Sequence, residues 1–144
     1  MAELKEILQD LVNKDFDDLV ELAAGAHERL IRALMDKGAN DDQITTYLIS
    51  TIKFFVSADK ECKYAERDLI NKSFDLDLTA EEFFDMTNCG SDPSFKETYF
   101  KVTKSGGEEI GIAAYILGAI ILASDETISV DEQDALKEFE EKAF

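Results

Sequence analysis

The fold class predicted by this sequence is all-α, a bundle of seven to eight helices, and three observations carry the prediction. One Pro and seven Gly stand against an abundance of Ala, Leu, Glu and Lys, residues that lose little on entering a helix. No segment alternates apolar and polar residues over a useful length, and no Asn-Gly or Asp-Gly dipeptide offers a hairpin turn. The third observation is a pattern that occurs twice, in residues 44–74 and 110–140, at an offset of 66 positions. The stripe Ile44, Tyr47, Leu48, Thr51, Ile52, Phe55, Val56 falls opposite Ile110, Ala113, Ala114, Leu117, Gly118, Ile121, Leu122. Both follow the i, i+3, i+4, i+7 spacing of one helix face. Each stripe runs into an acidic junction, so the pattern predicts two pseudo-repeated helical hairpins.

The elements follow in order. A first helix is expected over about 2–13 and a longer one over about 15–37, stopped by Gly38, a favourable C-terminal residue in the left-handed conformation. Asn40, with Gln43 three positions later, opens the helix of the first stripe, to about residue 58. A short acidic loop leads to a helix at about 64–74. Thr79 and Glu82 form a capping box for a short helix to about Thr87. Residues 88–92 break the chain, and Pro93 suits the first turn of a helix capped by Asp92 and ending at Gly106-Gly107. The second stripe occupies about 108–124. Ser129 and Glu132 make another capping box and open the last helix, to about 142.

A chain of 144 residues is expected to form one domain with a substantial core. Hydrophobic content of 45% excludes wholesale disorder. The net charge of −17 argues against nucleic acid, since 15 basic residues are outnumbered by 32 carboxylates. Cations and basic protein surfaces are the partners such a field attracts, and solubility is the plainer reading of the same acidity. Cys62 and Cys89 have no metal-site or redox-motif spacing and read as reduced thiols of a cytoplasmic protein. The N-terminus lacks a signal-peptide apolar region. The longest apolar run, 110–123, is too short to cross a bilayer, so direct membrane insertion is not expected. It reads as a buried central helix, with Gly111, Ala114 and Gly118 on roughly one face permitting a close helix–helix approach.

Most chemical motifs fail on inspection. His27-Glu28 begins a zinc-protease motif, but Ile31 stands where the second His belongs. His27 instead lies in the stripe Phe16, Leu19, Val20, Ala23, His27, Leu30, Ile31, Leu34 and reads as a packed structural residue. Gly106 to Gly111 has P-loop glycine spacing without the Lys, the Ser/Thr or a preceding strand. Counted from Asp59, the EF-hand positions 6 and 12 are Tyr64 and Ile70; from Asp125 they are Val130 and Leu136. Oxygen-rich turns remain: Asp59, Glu61 and Glu66, then Asp125, Glu126, Asp131 and Glu132. Two readings stay open. Carboxylates at a helix start offset the positive end of its dipole, and the same groups suit Ca²⁺, Mg²⁺ or Mn²⁺ better than Zn²⁺.

The wording of the junctions, SADKECKYAE at 57–66 and ASDETISVDE at 123–132, is similar to the A-D-G-x-I-x-x-x-E signature of the TerB-like tellurite-resistance family. The similarity covers about residues 40–142 and leaves the N-terminal helices of 1–38 outside it. Lys60 and Glu126 replace the usual Gly, and Cys62 the common Ile. The resemblance implies an all-α bundle with two such hairpins in a pseudo-two-fold arrangement. It also implies a non-enzymatic, cytoplasmic stress-response component with membrane-associated protein partners and acidic residues that meet metal ions. On this reading Asp59, Glu61, Asp125, Glu126 and Asp131 present carboxylates to a basic protein surface or a shared divalent cation. The alternatives are a carboxylate-based metalloenzyme acting on a small molecule, and a structural adaptor docking through Phe83, Phe84, Phe95, Tyr99 and Phe100.

Overall fold

A computed structural model describes residues 10–11, 13–57, 64–87, 92–124 and 130–143. Among them all regular structure is helical, in seven helices: α1 (Phe16–Asp36), α2 (Asp41–Ser57), α3 (Tyr64–Ser73), α4 (Ala80–Thr87), α5 (Pro93–Gly106), α6 (Glu108–Ala123) and α7 (Val130–Ala143). Of the helix expected at 2–13, Asp10, Leu11 and Asn13 are described; the first two are helical and Asn13 is already in a turn. Cys62, Cys89 and the break at 88–91 lie outside the described residues.

Local chemistry sets the helix ends. α1 closes in a Schellman turn: Gly38, at φ +83°, donates to the Met35 carbonyl at 2.9 Å, and the next amide, Ala39, donates to Leu34 at 3.1 Å. α2 opens with a reciprocal cap, Gln43 N–H to Asn40 Oδ1 at 2.8 Å and Asn40 N–H to Gln43 Oε1 at 2.9 Å. Thr79 and Glu82 do the same for α4, at 3.1 and 3.0 Å. The exposed Glu82 carboxyl is held below its ordinary pKa by the hydrogen bond from the Thr79 amide. Asp92 accepts from the Ser94 amide at 2.8 Å, with Pro93 in the first turn of α5. The cap expected from Ser129 lies outside the described residues. Glu132, its expected partner, is buried near the start of α7.

All fourteen residues of the two stripes are buried. α6 carries the second and is enclosed on most of its circumference, as expected of the central helix; only Ile112, Tyr115 and Ile116 are not fully buried between Ile110 and Ala123. It packs against α1, α2, α3, α5 and α7. Among the described residues no helix is long and apolar enough to cross a membrane.

Around this centre, α1 pairs with α3 and α5 with α7. The His27 ring stacks on Phe74 with centroids 3.9 Å apart and planes 6° from parallel, and burial lowers its pKa. Lys72 Nζ lies 5.2 Å over the Phe16 ring in the same α1–α3 contact. Across α5 and α7, Glu138 receives Lys96 at 3.0 Å and Lys142 at 3.2 Å, beside the Phe100–Phe139 ring pair. α4 leans on α2 and α3 and buries Phe83 completely.

Gly118 fixes the α2–α6 approach. A Cβ there would run into the Phe55 ring, which is itself fully buried. Gly25, in the middle of α1, has no neighbour within 4 Å of its missing Cβ. Gly118→Ala should therefore lower unfolding free energy by about 1–3 kcal/mol through overpacking. Gly25→Ala should raise it by about 0.4–1 kcal/mol by restricting the unfolded chain. Urea titration of both variants checks the contrast; equal effects would deny the close approach.

Candidate functional site

Two regions compete for the functional role, at opposite ends of α2 and α6. The relative sense of these helices follows from three contacts. Gly107, where α6 begins, faces Lys37, just before α2 begins: a Cβ at Gly107 would sit 3.5 Å from Lys37 Nζ. Further along both helices, Phe55 meets Gly118. α5 runs the other way beside α2, since Tyr47 pairs with Thr103 and Thr51 with Tyr99. So α2 and α6 run in the same sense, and the chain leaves both, at Ser57 and Ser124, toward one end.

The carboxylates expected to form the site follow those two exits. Asp59, Glu61, Asp125 and Glu126 lie outside the described residues. Asp131 is the second residue of α7 by its backbone, as Glu66 is the third of α3; neither side chain is described. Among the described residues no group of three or more His, Cys, Asp or Glu side chains is placed to hold a metal ion.

At the opposite end, an open groove of about 770 Å³ lies between α2 and α5, closed off by the α1–α2 turn and the start of α6. Its apolar floor is built from Leu34, Tyr47, Tyr99, Val102 and Ile110. Hydroxyls of Thr46 and Ser50 on α2, and of Thr98 and Ser105 on α5, flank the floor. Lys37 and Asp42 are the charged residues in its lining.

Beneath the groove, α2 and α5 are tied by four buried hydroxyls. Thr51 Oγ1 donates to the Tyr47 carbonyl at 2.9 Å and accepts from the Tyr99 hydroxyl at 2.9 Å. Thr103 Oγ1 donates to the Tyr99 carbonyl at 2.8 Å and lies 2.6 Å from the Tyr47 hydroxyl. Because the Thr103 proton is committed to a carbonyl, Tyr47 is the donor in that short bond. The two halves mirror one another, each a Tyr-x-x-x-Thr on one helix engaging its counterpart on the antiparallel neighbour. Sequence reasoning missed this latch and the groove above it, although the repeated Tyr-x-x-x-Thr at 47–51 and 99–103 was a visible signal.

The five rings considered as an adaptor surface do not form one. Phe83, Tyr99 and Phe100 are core residues, Phe95 is half-buried at the groove, and Phe84 alone is largely exposed, at 56%.

No family model, no curated protein and no solved structure matches the chain.

Burial raises the Tyr47 pKa and carries that of Tyr99 well above the ordinary 10.0, where the neighbouring Tyr47 adds to the shift. Tyr115 is raised too, by burial of a hydroxyl that has no hydrogen-bond partner among the described residues, and by Glu140. These groups keep their protons in the folded state above the pH at which the unfolded chain loses them. Their contribution to stability should thus be full below about pH 10 and be lost as pH rises beyond it. Urea midpoints measured across that range check this, and Tyr47→Phe/Tyr99→Phe should flatten the decline. An unchanged slope in the double variant would deny that the latch titrates.

Proposed function

We propose that this chain is a TerB-like, non-enzymatic domain of the tellurite-resistance type that acts in a stress response by binding. Its acidic junctions engage a basic protein surface, a membrane-associated partner among the candidates, or a divalent cation shared with it. The observation that carries the reading is the common sense of α2 and α6. Both acidic segments, 58–63 and 125–129, begin where these parallel core helices end, so their carboxylates start from one end of the bundle rather than from opposite ends.

Two further observations support it. Both apolar stripes are wholly buried. α1 pairs with α3 as α5 pairs with α7, although α7 packs back on α6 whereas α3 packs on α1 and α6 rather than on α2. The roles assigned are electrostatic. Asp59 and Glu61 of the first junction, and Asp125, Glu126 and Asp131 of the second, supply hard oxygen donors of the kind Ca²⁺, Mg²⁺ or Mn²⁺ takes. The surrounding charge of −17 raises the local concentration of any cation.

Isothermal titration of metal-stripped protein with each of the three ions tests the reading. Saturable binding is expected, abolished in Asp59→Asn/Asp125→Asn with helicity by circular dichroism nearly unchanged. Absence of heat, or equal affinity in the double variant, would leave these carboxylates as helix caps and solvated charge.

A further inference from the structure

We infer that the α2–α5 groove is a docking site for an acidic amphipathic helix of another protein. The inference is independent of the cation reading, because the groove lies toward the other end of the central helices.

The shape favours a helix. Between Phe95 and Gly106 the groove follows eleven residues of α5, about 16 Å at 1.5 Å per residue, which accommodates roughly three turns of an incoming helix. Two antiparallel helices form its walls, so a third helix laid between them would complete a three-helix packing unit. An apolar stripe on an incoming helix would cover Val102, which is 51% exposed in the groove. The flanking hydroxyls offer neutral hydrogen-bond partners to the polar edges of that helix.

Charge identifies the flanks of the partner. In a chain of net charge −17, this groove is bordered by three lysines that make no ion pair among the described residues. Lys37 closes one end. Lys53 lies toward the other, its Nζ 5.3 Å over the Phe95 ring. Lys101 is exposed on α5 at i+3 from Thr98 and i−4 from Ser105, which places it on the rim. Within the lining itself Lys37 is matched by one carboxylate, Asp42, so the cationic excess at the groove comes from Lys53 and Lys101 outside the lining. Screening over about 8 Å at physiological ionic strength confines the repulsion from the distant acidic surface. Close contacts at the rim then decide sign, and they favour Glu or Asp beside the apolar stripe.

The test is a peptide display library of helices with a fixed leucine stripe and flanking positions randomised among Glu, Lys, Ser and Gln, panned on the full chain. Enrichment of Glu flanks is expected, and the selected peptide should shift the amide signals of Thr46, Ser50, Thr98 and Val102. Lys37→Glu/Lys53→Glu/Lys101→Glu should weaken that peptide roughly tenfold or more. Val102→Asp should abolish binding while the circular dichroism spectrum stays helical. The Asp59→Asn/Asp125→Asn variant should bind the peptide as the parent does. Enrichment of Lys flanks, no enrichment, or amide shifts away from the groove would overturn the inference. So would a Val102-dependent dimer in sedimentation, which would make a second copy the occupant. Displacement of the peptide from the groove by stoichiometric dodecanoate would make it a site for aliphatic carboxylates, overturning it as well.

Discussion

The close approach of α2 to α6 is the constraint on which the rest of the structure depends. Phe55 occupies the space a side chain at position 118 would fill, and glycine leaves that space open. A fully buried aromatic ring contributes on the order of 2–3 kcal/mol relative to exposure. That gain is realised only if the backbone of α6 comes within ring distance of α2. With these two helices side by side and running in the same sense, the α1–α2 and α5–α6 turns are brought together at one end. The chain exits at Ser57 and Ser124 are then brought to the other. The position of the groove and the shared end of the two chain exits follow from this one packing decision.

The hydroxyl latch does a different job. Its four hydrogen bonds contribute about 0.5–1.5 kcal/mol each, a total comparable with the burial of the two rings that carry them. Direction is what they add. Apolar surfaces slide, whereas Tyr47 to Thr103 and Tyr99 to Thr51 fix the register of α5 on α2 at two points one helical turn apart. A slip of one residue would strand buried hydroxyls without partners, each at a cost of about 1–3 kcal/mol. The groove above the latch is held open by two rigid helices whose spacing is set from below. Its readiness to receive a third helix would come from that rigidity.

Much of the fold was legible because it is written in local chemistry. Asn40 with Gln43, Thr79 with Glu82, Asp92 with Pro93, and Gly38 after Asp36 each announce a helix end through residues no more than four apart. The structure makes each of those caps. The two stripes were legible because burial on one helix face leaves a periodic trace. Long-range partnership leaves no such trace. The latch joins residues 48 and 56 positions apart, and each tyrosine alone reads only as an aromatic on an apolar face. The five-ring surface failed for the same reason: composition does not say which rings the other helices will cover. The acidic junctions were legible as charge and spacing, and their geometry lies outside the described residues.

The measurement that tests this account most directly is an isotope-edited NOE experiment on the pair Phe55 and Gly118. Strong cross-peaks are expected between the Phe55 ring protons and the Gly118 α-protons, with those α-protons displaced by the ring current. The cross-peaks should persist in Tyr47→Phe/Tyr99→Phe, because the approach does not rest on the latch. Absence of the cross-peaks in the parent protein would contradict the α2–α6 packing, and with it the shared end from which the acidic segments depart.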